Sequence, residues 1–274
     1  MNRFAQIFIF LLLLIFSFNA CAEFEMKDIS ARVTGLGGAF IALADDPAAI
    51  YYNPAGVALN YRRELISSYT RLYGLDELIH QYIGITTPVL PLANLGFGVE
   101  RFGTGKYQEN KYTLAIAREI FENQQIGFSV NSFHSSIADT DDHQAKGIDF
   151  GIISKIGKYS RIAFSAINLT HPFVNEQLDS YYRLGFLFKP TKKLKLLFDF
   201  EKPQTVIKED KVITHIGQEL EISDGVFFRL GYHNRPERLS FGFGFETGNI
   251  KIDYAYLSHV DLDATHQVSM GIKF

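Results

Sequence analysis

Apolar and polar side chains alternate in short runs from about residue 62 to the C-terminus, and a period of two restricts most of the chain to β-strands. In RLSFGFGFE, Leu239, Phe241, Phe243 and Phe245 share one face, while Ser240, Gly242, Gly244 and Glu246 share the other. NIKIDYAY sets Ile250, Ile252, Tyr254 and Tyr256 against Lys251, Asp253 and Ala255. HQVSMGIKF sets Val268, Met270, Ile272 and Phe274 against Gln267, Ser269, Gly271 and Lys273, and KLKLLFDFE sets Leu194, Leu196, Phe198 and Phe200 against Lys195, Asp199 and Glu201. Successive side chains of a strand point to opposite sides, so each run carries one apolar and one polar face.

About fourteen such runs can be placed. They centre near Tyr69, Ile83, Phe97, Leu114, Phe128, Phe150, Phe164, Phe186, Phe198, His215, Phe228, Phe241, Ile252 and Met270. The connections after even-numbered runs are tight and those after odd-numbered runs are mostly longer, about 3 residues against about 7, which is the pattern of an outer-membrane barrel. A soluble β-sandwich that buries the Phe faces fits the same alternation. Composition weighs against it. Aromatic residues make up 14% of the chain, as 25 Phe and 14 Tyr with no Trp, and they crowd the apolar faces. The opposite faces are glycine, small polar residues and charges of both signs, as suits a crowded lumen. The expected class is all-β, a membrane-spanning antiparallel barrel of about 14 strands. Strands in hydrocarbon must close, because an open edge leaves backbone groups unpaired.

The N-terminus reads as a secretory signal, residues 1–22: Arg3, an apolar stretch from Ile7 to Phe18, and the cleavage triplet Ala20-Cys21-Ala22. A spanning anchor is the alternative, but the stretch is shorter than the ~20 residues a helix needs. Lipidation of Cys21 is another, with Phe18 standing where such signals usually carry Leu. Cleavage after Ala22 removes the chain's single Cys, so neither disulfide nor thiolate chemistry is expected. The net charge of −3 and the lack of a basic tract argue against a nucleic-acid partner.

Between signal and barrel lies GLGGAFIALADDPAAIYYNPAGVALN, Gly35 to Asn60. Gly35, Gly37 and Gly38 suggest a phosphate loop, but no buried strand precedes them and the third glycine of that motif falls on Phe40. A compact capped segment fits better. Asp46 can cap a helix whose first residue is Pro47, and Asn53 can repeat this one short turn later before Pro54 and Ala55. Two short helices on small residues have too little apolar surface to fold alone. Residues 23–61 are therefore expected to form a plug inside the barrel of residues 62–274, with Asp45, Asp46 and Asn53 meeting polar wall residues.

This stretch resembles the N-terminal motif of PorV/PorQ-type outer-membrane proteins, which group with FadL-like transporters of fatty acids and aromatic hydrocarbons. The closing RLSFGFGFETGNIKIDYAYLSHVDLDATHQVSMGIKF, with its Asp253-Tyr254-Ala255-Tyr256 run and terminal Phe274, is similar to that group's last hairpins. The resemblance implies a fourteen-stranded outer-membrane barrel, an N-terminal plug, and Phe274 as a terminal assembly signal. It further implies a non-enzymatic component that binds secretion machinery or secreted cargo. The alternative it carries is passive transport of hydrophobic small molecules.

Other clusters are weaker. Asp139, Asp141, Asp142 and His143 lack a calcium loop's central glycine and terminal Glu. His80, His134, His143, His171, His233, His259 and His266 fall near the expected outer rim, apart from His215, but on separate connections, so no metal or cofactor is expected. His134, Ser135, Ser136 and Asp139 have the residue types of a hydrolase triad without a reason to share its geometry. Asn168-Leu169-Thr170 is a sequon and carries no weight here. Glu100, Asp149, Lys155, Arg183, Lys195, Asp199, Arg229, Lys251 and Asp253 are expected to pair within the lumen.

Overall fold

A computed structural model describes residues 27–89, 93–138, 142–169, 178–204, 211–259 and 261–274. The signal, Asp139, Asp141, Thr170 and His171 lie outside these. Fourteen antiparallel strands close into a barrel by pairing the first with the last. They are β1 Glu64–Arg71, β2 Ile79–Val89, β3 Ala93–Phe102, β4 Tyr107–Phe121, β5 Gln124–Ile137, β6 His143–Ile156 and β7 Ser160–Ile167. Then follow β8 Ser180–Phe188, β9 Leu194–Gln204, β10 Ile213–Ser223, β11 Val226–Asn234, β12 Glu237–Thr247, β13 Ile250–Leu257 and β14 Thr265–Lys273. Every run anticipated from the alternation falls within its own strand. The loop parity holds on average but not at every turn: β11 and β12 are joined by only Arg235-Pro236, and the five residues between β8 and β9 outnumber the four between β3 and β4.

The faces are as the alternation requires. Phe243, Ile252 and Met270 are 44%, 47% and 45% exposed, while Ser240, Asp253 and Ser269 are buried. Ile252 pairs with both Phe245 and Met270, which makes an apolar row across three strands. The ring closes between β1 and β14, with Ser67 opposite Met270. Phe274 follows β14, is 60% exposed, and its N–H donates to the Arg63 carbonyl. The β6–β7 ladder covers only Phe150–Ile156 of β6.

Residues 27–60 occupy the interior, and Tyr61, which follows them, is exposed. Their helix α1, Ala31–Gly35, is capped by Ser30, whose Oγ accepts from the Val33 N–H. This helix precedes the motif and was not expected. A second, α2, spans Ala49–Tyr52, and a 3₁₀ turn spans Pro54–Leu59. Asp46 Oδ1 accepts the Ala48 N–H at 2.9 Å, and Asn53 Oδ1 accepts the Ala55 N–H at 3.1 Å with Pro54 as the first residue of its turn. The Asn53 assignment therefore describes the local structure, whereas the Asp46 one is corrected: the helix starts at Ala49 with Ala48 as its N-cap and no side-chain cap, and Asp46 holds the turn just before it. Ile29, Val33, Leu36, Phe40, Ile41 and Ile50 are fully buried, so the segment's apolar side chains reach the hydrophobic interior only once the wall surrounds them.

Glycine on the inner wall allows this fit. A Cβ on Gly231 would lie 2.0 Å from the Gly37 nitrogen, and one on Gly37, at φ +64, would lie 2.5 Å from the Tyr232 nitrogen. Backbone thus packs on backbone. Gly231→Val is expected to destabilise the folded barrel by about 1–3 kcal/mol or more through overpacking. Because the chain has no Trp, the midpoint is best followed by heat-modified gel mobility.

Candidate functional site

The candidate site is the inner segment, the wall that grips it, and the two cavities on either side. The strongest contact starts at Arg32, which the sequence reading did not single out. Its Nη1 donates to Asp45 Oδ1 at 2.6 Å and Asp46 Oδ2 at 2.8 Å, and its Nε and Nη2 donate to the two Glu219 oxygens of β10 at 2.9 and 3.1 Å. A planar guanidinium suits this arrangement, bidentate to Glu219 with the remaining nitrogen shared between Asp45 and Asp46. Glu219 also accepts from Arg229 Nε at 2.7 Å and Lys195 Nζ at 2.5 Å. Arg229 Nη1 continues to Asp253 at 2.7 Å, and Lys251 lies 3.5 Å from Asp253 and 3.8 Å from Asp46. Burial pushes the Asp45 carboxyl up, but Arg32, helped by Lys195 and Arg161, reverses this and holds it well below the usual carboxylate range. The coulombic pull of Asp45, Glu219 and Asp46 on Arg32 outweighs its desolvation and raises its pKa.

Backbone donors are met by wall side chains. Asp199 Oδ2 accepts the N–H groups of Phe40 and Ile41 at 2.7 and 3.0 Å, and Ser269 Oγ accepts that of Ala31 at 2.8 Å. On the other side, Asn94 Nδ2 donates to the carbonyls of Val57 and Asn60, both at 2.9 Å. Tyr82 donates to the Pro47 carbonyl at 3.1 Å, and Arg161 to that of Leu43 at 3.2 Å.

The motif residues therefore divide. Asp46 meets the wall at Lys251. Asp45 pairs within the segment, through Arg32. Asn53 hydrogen-bonds inside the segment, its Nδ2 donating to the Ile41 carbonyl at 3.0 Å, and its side chain packs against Gly151 of β6, where a Cβ would lie 2.0 Å from Oδ1. Gly35 lies against Gly242, Gly37 against β11, and Gly38 against His215, where a Cβ would be 2.7 Å from Nδ1. Pro54 and Ala55 sit against Gly127 of β5, whose Cβ would meet their backbone at 2.3–2.5 Å. Gly242 and Ser269, polar-face positions that look able to accept charge, are packed against the segment.

Of the lumen charges, Arg183 pairs with Glu201, Asp149 accepts from Ser129 and Asn131, and Glu100 lies 2.9 Å from His80. Lys155 sits at the exposed end of β6. His215 is near the same long-loop end as the other histidines, because β10 begins only at Ile213; it stacks on His233 at 5.5 Å. Strand alternation puts Ser135 inside and His134 and Ser136 outside, and His134 bonds Ser132 at 3.0 Å. Among the described residues, no three His, Cys, Asp or Glu converge as a metal site.

On the long-loop side of the segment is a vestibule of about 480 Å³. Leu72, Tyr73, Phe102, Tyr107, Tyr181 and Leu257 line it together with Arg183, His215 and Glu109. At the short-turn side a cavity of about 140 Å³ lies among Asp45, Asp46, Glu64, Lys195, Lys251 and Lys273.

No family model and no curated protein matches the sequence. Solved structures do match. A FadL homologue of Pseudomonas aeruginosa aligns with TM-score 0.65 at 12% identity, over 92% of this chain and 99% of that one. The monoaromatic hydrocarbon channel CymD aligns with TM-score 0.65 at 12% identity, again over 92% and 99%. The toluene transporter TodX of P. putida aligns with TM-score 0.66 at 11% identity, over 91% and 99%. The chain thus has the fold of FadL-like outer-membrane barrels.

Proposed function

We propose that the protein is a passive outer-membrane channel for small hydrophobic molecules, with the short turns in the periplasm and residues 27–60 as its plug. The vestibule carries this reading. Its volume lies in the range of small-molecule sites, its wall sets aromatic and aliphatic side chains among a larger number of charged and polar ones, and it ends on the plug. The three structural neighbours are described as a FadL homologue, a hydrocarbon channel and a toluene transporter, which supports the same reading. The secretion reading rests on the resemblance of the Gly35–Ala58 motif. Its weak point is that two of the outer connections are short, two residues between β11 and β12 and four between β3 and β4.

The test is uptake of a radiolabelled monoaromatic hydrocarbon by cells whose outer membrane limits its entry, with and without this protein. Uptake several-fold faster with the protein is expected. Equal uptake, together with co-purification of secreted proteins from solubilised membranes, would replace this reading with the secretion one.

A further inference from the structure

We propose that the short-turn mouth of the barrel holds an anion site, formed by Lys155, Arg161 and Lys189, for a phosphate-type oxyanion. The strand register places these cations side by side. Lys155 of β6 is directly opposite Arg161 of β7, and both share the inward parity of their buried neighbours Ile153 and Ala163. Arg161 is opposite Leu187 of β8; Lys189, two residues on, has the same inward parity, and its N–H donates to the Tyr159 carbonyl at 2.8 Å. Lys195 of β9 extends the row.

Like charges directly opposite on neighbouring strands destabilise a sheet, so such a row needs compensation. The acids nearby are already engaged. Glu219 takes Lys195, Arg32 and Arg229, and Asp45 is bound by Arg32. Arg161 reaches a carbonyl, that of Leu43. Among the described residues neither Lys155 nor Lys189 has an ion-pair partner. Burial first, then the charges of Arg161 and Lys195, push the Lys189 ammonium's pKa down against a weaker pull from Asp45, as expected for a lysine near those two cations.

An oxyanion with several oxygens can accept from Arg161 and both lysines together through charge-assisted bonds. Lys158, Lys192 and Lys193 are exposed on the two turns below and would draw anions towards the mouth. Ile156, Tyr159 and Phe188, 56%, 51% and 48% exposed, bring the lipid-facing surface to the same level. A phospholipid headgroup and free phosphate are therefore both possible sources of the anion.

The experiment uses the full mature barrel folded in neutral detergent, with the heat-modification midpoint as readout. Sodium phosphate is compared with sodium chloride at equal ionic strength. Phosphate should raise the midpoint by about 3–5 °C for each tenfold increase above its dissociation constant. The double variant Lys155→Gln, Lys189→Gln should lose this response and be more stable than wild type in chloride. In a second arm, in buffer free of inorganic phosphate, vesicles of phosphatidylcholine are compared with and without the anionic phosphatidylglycerol. Stabilisation by phosphatidylglycerol alone assigns the anion to a lipid headgroup, and stabilisation by inorganic phosphate assigns it to a free anion. Should the double variant not fold, calorimetric titration of phosphate into wild type reads the site directly. Equal effects of phosphate and chloride, with no difference between the vesicles and no binding heat, would overturn the proposal.

Discussion

A barrel lacking residues 27–60 is expected to fold and to conduct, whereas the intact protein stays closed in planar bilayers. The wall has no gap in its strand order without the segment, since each strand is paired on both sides by other strands. Glu219 would keep Arg229 and Lys195 as partners, and Asp199 would trade two backbone donors for water. What disappears is the filling. Eight strands are already filled by side chains, but fourteen enclose a wider space, and this wall faces it with glycines at 127, 217, 231 and 242. Arg32→Ala is the graded version. It removes the cation between three carboxylates, a loss of about 3–5 kcal/mol for a buried pair, and should give brief openings of an otherwise closed channel. Because Asp45 is held in its charged form, its contribution is present above the ordinary carboxylate range and is lost only as pH falls well below it. Mild acid should therefore leave the intact protein closed. Single-channel recording on folded samples checks each of these, and equal near-zero conductance for the intact and deleted barrels would show that the segment is not the plug.

Arginine on the lipid face should be the most damaging single change to the wall. Phe243→Arg, Ile252→Arg and Met270→Arg each place a charge on the exposed apolar face of β12, β13 or β14, at a cost of about 2–4 kcal/mol near the bilayer midplane. Ser136→Arg, on an exposed residue at the long-loop end of β5, should cost about 0–1 kcal/mol. Gly242→Arg is no control for facing, since Gly35 occupies the space its side chain needs. Denaturant titration of barrels folded into vesicles gives the order. If Ser136→Arg proved as costly as Ile252→Arg, the lipid-facing surface would be wrongly placed.

The wall was legible in the sequence because a strand in a membrane barrel has two different solvents, lipid outside and lumen inside, and writes that difference as a period of two. Leu239, Phe241, Phe243 and Phe245 against Ser240, Gly242 and Gly244 need no knowledge of the neighbouring strand to be read. The local turns were legible for a similar reason, since Asp46 and Asn53 bond residues only two positions away. The seat of the inner segment was not. Arg32 meets Glu219 across 187 residues and Asp199 meets Phe40 across 159, and nothing local marks either side chain as a partner of the other. Lys155, Arg161 and Lys189 read singly as surface cations, and only strand register makes them one row. Their meaning depends on closure of the sheet, which brings distant polar faces together around a shared interior. The sequence by itself determined the strands, their faces and the capped turns, which follow from neighbours along the chain. Only the tertiary structure decided which charges meet and where space remains, because those depend on distances across the barrel.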